Sequence, residues 1–145
     1  MTLNAVKMTA GQIAEINYEA EAAYPKEACG LITGLKINSD VLRVVKIVPA
    51  QNILASEASH RFEVDPRTRI NLEKEIRRAE ESLIAHYHSH PDHPALPSST
   101  DLQNVHEPNL IWLIVSVNAG KAQDIKAHKY FDRISGFREI KILID

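Results

Sequence analysis

The sequence predicts an α/β (α+β) fold, a mixed β-sheet flanked by helices, with residues 1–145 forming one domain. Three observations predict it. Two segments combine a helix start signal with apolar residues recurring on one helical face. Six short runs are β-branched or almost wholly apolar and read as strands. The two kinds of segment interleave, and helices interleaved with strands belong to a mixed sheet. The length of 145 residues suits one core.

Thr9 and Gln12 open the first helix with the spacing of a capping box. Ile13, Ile16, Ala20 and Ala23 share one face, and Pro25 ends the helix because it lacks an N–H and restricts the residue before it. Residues 28–35 read as a buried strand. A turn at Asn38, Ser39 and Asp40 leads to a β-branched strand over 41–48, so the two form a hairpin. Asp65 as N-cap and Pro66 at the first helical position start a second helix, whose apolar face is Leu72, Ile76 and Ala79. Residues 82–90 read as a strand, followed by a loop holding Pro91, Pro94 and Pro97 and a short helix from Ser98 or Ser99. Strands over 110–117, 122–131 and 137–144 complete the chain, the last two parted by a turn at Ser135 and Gly136.

Bulk composition excludes several classes. A formal net charge of −2 points to neither nucleic acid nor an anionic membrane surface. The longest purely apolar run, 110–115, is too short to span a bilayer, and the N-terminus lacks the pattern of a signal peptide. Cys29 is the single cysteine, so no internal disulfide forms and a reducing cytoplasm is expected.

The chemistry concentrates in 88–101. His88 and His90 lie two apart at a strand end, so both imidazoles project from one face. Asp101 follows eleven residues after His90 across a loop able to fold back. Two imidazoles and a carboxylate form a catalytic zinc set with a fourth position open to water. Zinc lowers the pKa of such a water from 15.7 to about 7. A carboxylate beside it is needed to move protons, and Glu27, just before an apolar strand, is the candidate.

His-x-His-x7-Ser-x2-Asp is matched without a gap by His88, His90, Ser98 and Asp101, which resembles the JAMM (MPN+) zinc metalloprotease motif, in its bacterial stand-alone form. The segment 24–34 around Glu27 resembles that family's N-terminal glutamate segment, and Asn52 with 62–66 resembles its middle, so the likeness covers residues 9–131. The resemblance implies a fold similar to cytidine deaminases, one Zn2+ per chain on His88, His90 and Asp101, Glu27 as general acid/base, and Ser98 stabilising an oxyanion. It implies cleavage of a peptide or isopeptide bond after the C-terminal glycines of a ubiquitin-like, here sulfur-carrier, protein. Exposed strand edges beside the zinc are expected to take the tail by strand addition.

Plainer readings stand beside these. Ser98 and Asp101 also have the spacing of a helix cap, and the two roles are compatible. His60, His106 and His128 read as surface histidines; His86 shares parity with His88 and reads as a pocket wall; His93 lies in the loop. Cys29, inside an apolar strand, reads as structural. Glu57, Glu63, Glu73 and Glu75, and the face of Arg67, Lys74, Arg77 and Arg78, read as solvated charge. The competing functions are a non-catalytic MPN-type protein-binding scaffold and a two-histidine, one-carboxylate iron oxygenase. The filled motif disfavours the first, and Ser98 with Glu27 the second.

Overall fold

The structure, a computed structural model of the chain, describes residues 3–56 and 61–145. Glu57 and His60 therefore lie outside the described residues. The elements run β1 (Ala5–Met8), α1 (Ala10–Ala23), β2 (Cys29–Lys36), β3 (Val41–Ala50), α2 (Pro66–Ile76), β4 (Ser82–Pro91), α3 (Ser99–Gln103), β5 (Ile111–Asn118), β6 (Lys121–Asp132) and β7 (Gly136–Ile144).

The helix starts follow their sequence signals. The Thr9 hydroxyl accepts the Gln12 N–H, and the Gln12 side chain accepts the Thr9 N–H, completing the capping box of α1. Gln12 Nε2 also donates to the carbonyls of Val44 and Val45, so the cap residue sews α1 onto β3. Asp65 caps α2 by accepting the Arg67 N–H, with Pro66 in the first turn. That helix ends at Ile76, so Ala79 sits not on its apolar face but in a turn, donating its N–H to the Ile76 carbonyl.

The seven strands close into a mixed barrel in the order β1-β3-β2-β4-β5-β6-β7. Strands β2 and β4 pair antiparallel while β4 and β5 run parallel. The closing strand, β1, lies parallel to both β3 and β7. It is absent from the sequence reading, since four residues are too few to show a period. Closure also corrects the expectation of exposed strand edges beside the metal. Each of β2 and β4 has a neighbour on both sides, so neither presents a free edge there.

Alternation along the strands divides the core. Ile32, Ala85, Tyr87 and Leu113 face the larger cluster, which takes Ile16 and Ala20 from α1. Leu31, on the opposite face of β2, packs with Leu72 and Ile76 of α2. The register shift between Ile32 and Thr33 absorbs one extra residue of β4, so Ile84 joins the same cluster as Ala85. His86, His88 and His90 alternate with Ala85, Tyr87 and Ser89 and therefore occupy the α2 face. No helix among the described residues is long and apolar enough to cross a membrane.

Candidate metal centre

Strand β4 delivers both histidines. His88 lies opposite Cys29 on β2 and Ile114 on β5, and His90 opposite Ser116. His88 is wholly buried and His90 nearly so. The rings converge: Nε2 of His88 is 3.1 Å from Nε2 of His90. Asp101 reaches them from the first turn of α3, its Oδ2 lying 3.4 Å from His88 Nε2 and 3.1 Å from His90 Nε2. Ser98 caps α3: its hydroxyl accepts the Asp101 N–H, and its own N–H donates to Asp101 Oδ2. The cap thus fixes the carboxylate against the histidines, and Ser98, exposed at the N-cap, joins the cluster through Asp101.

These distances suit a cation. A tetrahedral zinc about 2.0–2.1 Å from its nitrogen and oxygen ligands holds them about 3.3 Å apart. The three observed separations, 3.1 to 3.4 Å, match that triangle. The tautomer fits as well. His90 Nδ1 lies 2.9 Å from the Pro94 carbonyl, which assigns the proton to Nδ1 and leaves the Nε2 lone pair facing the cluster. His88 Nδ1 is buried without a hydrogen-bond partner, and its ring is held by stacking on Phe62, 4.3 Å between centroids.

Glu27 arrives on the other side. It sits two residues before β2 and is 4% exposed. A carboxylate oxygen of Glu27 and ring nitrogens of His88 and His90 lie within 4.8 Å of one another. Two three-residue donor sets therefore share the histidine pair, one closed by Asp101 and one by Glu27. The tighter triangle belongs to Asp101.

The two carboxyls are driven apart in acidity. Burial pushes Asp101 up, but hydrogen bonds to His88 and His90 outweigh it and hold that carboxyl well below the usual carboxylate range. Glu27 is pushed up to about 8, first by burial, with His90 opposing and Asp101 reinforcing the shift. One carboxyl is therefore a permanent anion beside the imidazoles, and the other exchanges its proton near neutrality. Burial pushes Cys29 up to about 12, so it is no nucleophile.

A cavity of about 410 Å³ adjoins Asp101, with Leu31, Leu54, Phe62, Leu110 and Trp112 among its walls. His86 lines it too, as its parity predicts, with its ring 4.4 Å from that of Trp112. His106, though exposed, also borders it, as does Glu63. His93 is exposed in the loop after β4. His128 corrects its surface reading: it is 2% exposed, with Nε2 2.9 Å from the Ala95 carbonyl. Glu73 pairs with Arg69 and Glu75 with Lys46 at the surface, and exposed Arg67 pairs with the buried Asp65. Phe62 falls in the 62–66 stretch that resembles the family's middle, but Trp112 carried no signal of its own in the sequence; only pairing of β4 with β5 sets it beside His86.

A buried histidine pair, an ionised carboxylate that lines a cavity and a second buried carboxyl are consistent with a site of the metal-dependent hydrolase type. The model for prokaryotic homologs of the JAB domain matches residues 9–129, and the chain belongs to that family. It is similar to a desampylase of Haloferax volcanii, 29% identical over 121 residues, which span 83% of this chain and 80% of the relative. It also resembles a CysO-cysteine peptidase of Mycobacterium tuberculosis, 27% identical over 113 residues, 78% of this chain and 74% of the relative. The solution structure of a Desulfitobacterium hafniense protein superposes with a TM-score of 0.83 at 29% identity, covering 97% of this chain and 92% of that one. The chain is a hydrolase of the JAMM type.

Proposed function

We propose that this chain is a zinc-dependent peptidase or isopeptidase that hydrolyses the amide bond after the C-terminal glycines of a ubiquitin-like protein, a sulfur carrier in the first instance, in the cytoplasm. The observation that carries the reading is the triangle of His88 Nε2, His90 Nε2 and Asp101 Oδ2 with Glu27 beside it. His88, His90 and Asp101 would hold one Zn2+ per chain. That ion supplies Lewis-acid activation of a water and a carbonyl.

The remaining steps belong to the protein. Glu27 takes a proton from the attacking water and delivers it to the leaving amine, a shuttle suited to a carboxyl titrating near 8. Asp101 stays ionised beside the histidines, while burial holds His88 in its neutral, lone-pair-bearing form. Ser98 has spent its hydroxyl oxygen on the Asp101 N–H, which leaves its O–H proton to donate to a developing oxyanion. The cavity beside Asp101 would seat a side chain flanking the scissile bond. The names of the relatives, a desampylase and a CysO-cysteine peptidase, support hydrolysis of a conjugate of a ubiquitin-like protein.

The test offers the zinc-loaded protein a panel of ubiquitin-like carriers bearing C-terminal extensions and weighs the products. The expected product ends at the carrier's terminal glycine and requires zinc. Intact carriers throughout, or cleavage that persists in a chelator, would overturn the reading.

A further inference from the structure

We infer that Asn52 is a positioning residue for Glu27, tying the cavity wall to the backbone that carries the proton shuttle. The inference rests on the reading of Glu27 given above.

Asn52 follows β3 by two residues and uses its side-chain amide completely. Nδ2 donates to the Glu27 carbonyl at 3.0 Å and to the Arg61 carbonyl at 3.1 Å. Oδ1 accepts the N–H groups of Leu54 and Glu63, both at 3.0 Å. Two fixed donors and two fixed acceptors leave one orientation of the amide. Three of these four partners, Leu54, Arg61 and Glu63, line the cavity. The segments on either side are drawn together by the bridge of Asn52 with Val64 and by the bond from Ile53 N–H to the Glu63 carbonyl.

The fourth partner is the Glu27–Ala28 peptide, which is gripped at both ends. Its C=O accepts from Asn52, and its N–H donates to Ser89 Oγ at 2.8 Å. Ser89 is wholly buried between the two histidines and projects to the opposite face of β4. The Ser89 N–H returns a bond to the Ala28 carbonyl. Both torsions flanking that peptide are thereby held, and with them the direction in which Glu27 leaves the backbone. Ser89 refers Glu27 to the histidines; Asn52 refers it to the cavity wall. Displacing a reacting group by about 1 Å costs on the order of 10²-fold in rate. The wall that meets substrate therefore helps decide whether Glu27 stands in reach of the proton it moves.

Asn52→Asp separates this role from simple loop closure. The aspartate still accepts from Leu54 and Glu63 but has no donor for the Glu27 carbonyl. Zinc-loaded wild type, Asn52→Asp and Asn52→Ala are compared on one cleavable carrier and by amide hydrogen exchange. Both variants are expected to keep one zinc per chain, with kcat reduced about 10- to 100-fold, KM within about threefold, and the Ala28 amide exchanging at least about tenfold faster. Wild-type kcat and wild-type Ala28 exchange in Asn52→Asp would overturn the inference, as would a loss that tracks zinc content. If Asn52→Ala fails to fold, Asn52→Asp carries the comparison. The exchange reading decides even when no carrier is cleaved, an outcome that would instead remove the peptidase reading.

Discussion

At the scale of single residues, the division of labour between Glu27 and Asp101 follows from what surrounds each. Asp101 faces two imidazoles and a backbone N–H, all of which favour its anion. Glu27 is buried with less compensation and holds its proton to about pH 8. Replacing Glu27 with Gln should abolish turnover while zinc remains bound, checked by rate and by metal content on the same sample. Zinc lost with that substitution would make Glu27 a ligand instead. The raised pKa also has a sign. The folded state binds the Glu27 proton more tightly than the unfolded state, so its contribution is full below about pH 4.5 and fades as pH rises through about 8. Metal-free wild type should therefore lose on the order of 3 kcal/mol more stability between pH 5 and 8 than metal-free Glu27→Gln, read by urea unfolding.

At the scale of elements, the site depends on how α3 and the β2·β4 ladder are built. The five-residue α3 begins at a box in which Ser98 and Asp101 satisfy each other's N–H groups. Ser98→Ala removes the hydroxyl acceptor but leaves the bond from the backbone N–H to Asp101 Oδ2. Zinc should stay, stability should fall by about 1 kcal/mol, and kcat should fall on the order of 10²- to 10³-fold. An unchanged rate would leave Ser98 as a cap alone. In the ladder, Gly30 lies opposite Tyr87, whose ring is wholly buried and occupies the space a Cβ at Gly30 would need. Gly30→Ala should cost about 2 kcal/mol or more by overpacking, measured by denaturant unfolding. A neutral result would mean that the ring turns aside despite its burial.

At the scale of the whole molecule, the barrel closes on a short N-terminal strand, while the proposed metal set draws on β4 and α3, neither of which pairs with that strand. A cation bound only by the folded chain adds stability by mass action, about 2.7 kcal/mol at a hundred times its dissociation constant. Removing zinc with a chelator should lower Tm by roughly 5–10 °C for a domain of this size. Asp101→Ala should erase that difference, and a zinc-dependent Tm persisting in it would place the ion elsewhere.

The sequence by itself determined the local events: the Thr9–Gln12 box, the Asp65–Pro66 start, the parity that puts His86, His88 and His90 on one face, and the gapless motif through Ser98 to Asp101. The first three depend on neighbours within about four residues or on strand period, and the motif on a fixed spacing along the chain, so all are written in linear order. Tertiary structure alone decided the rest. Closure of the barrel by β1, the burial of His128 and the meeting of Asn52, Ser89 and the Glu27 peptide involve contacts far apart in the chain. The acidity of Glu27 belongs there too, because the burial that raises it comes from packing that no local pattern records.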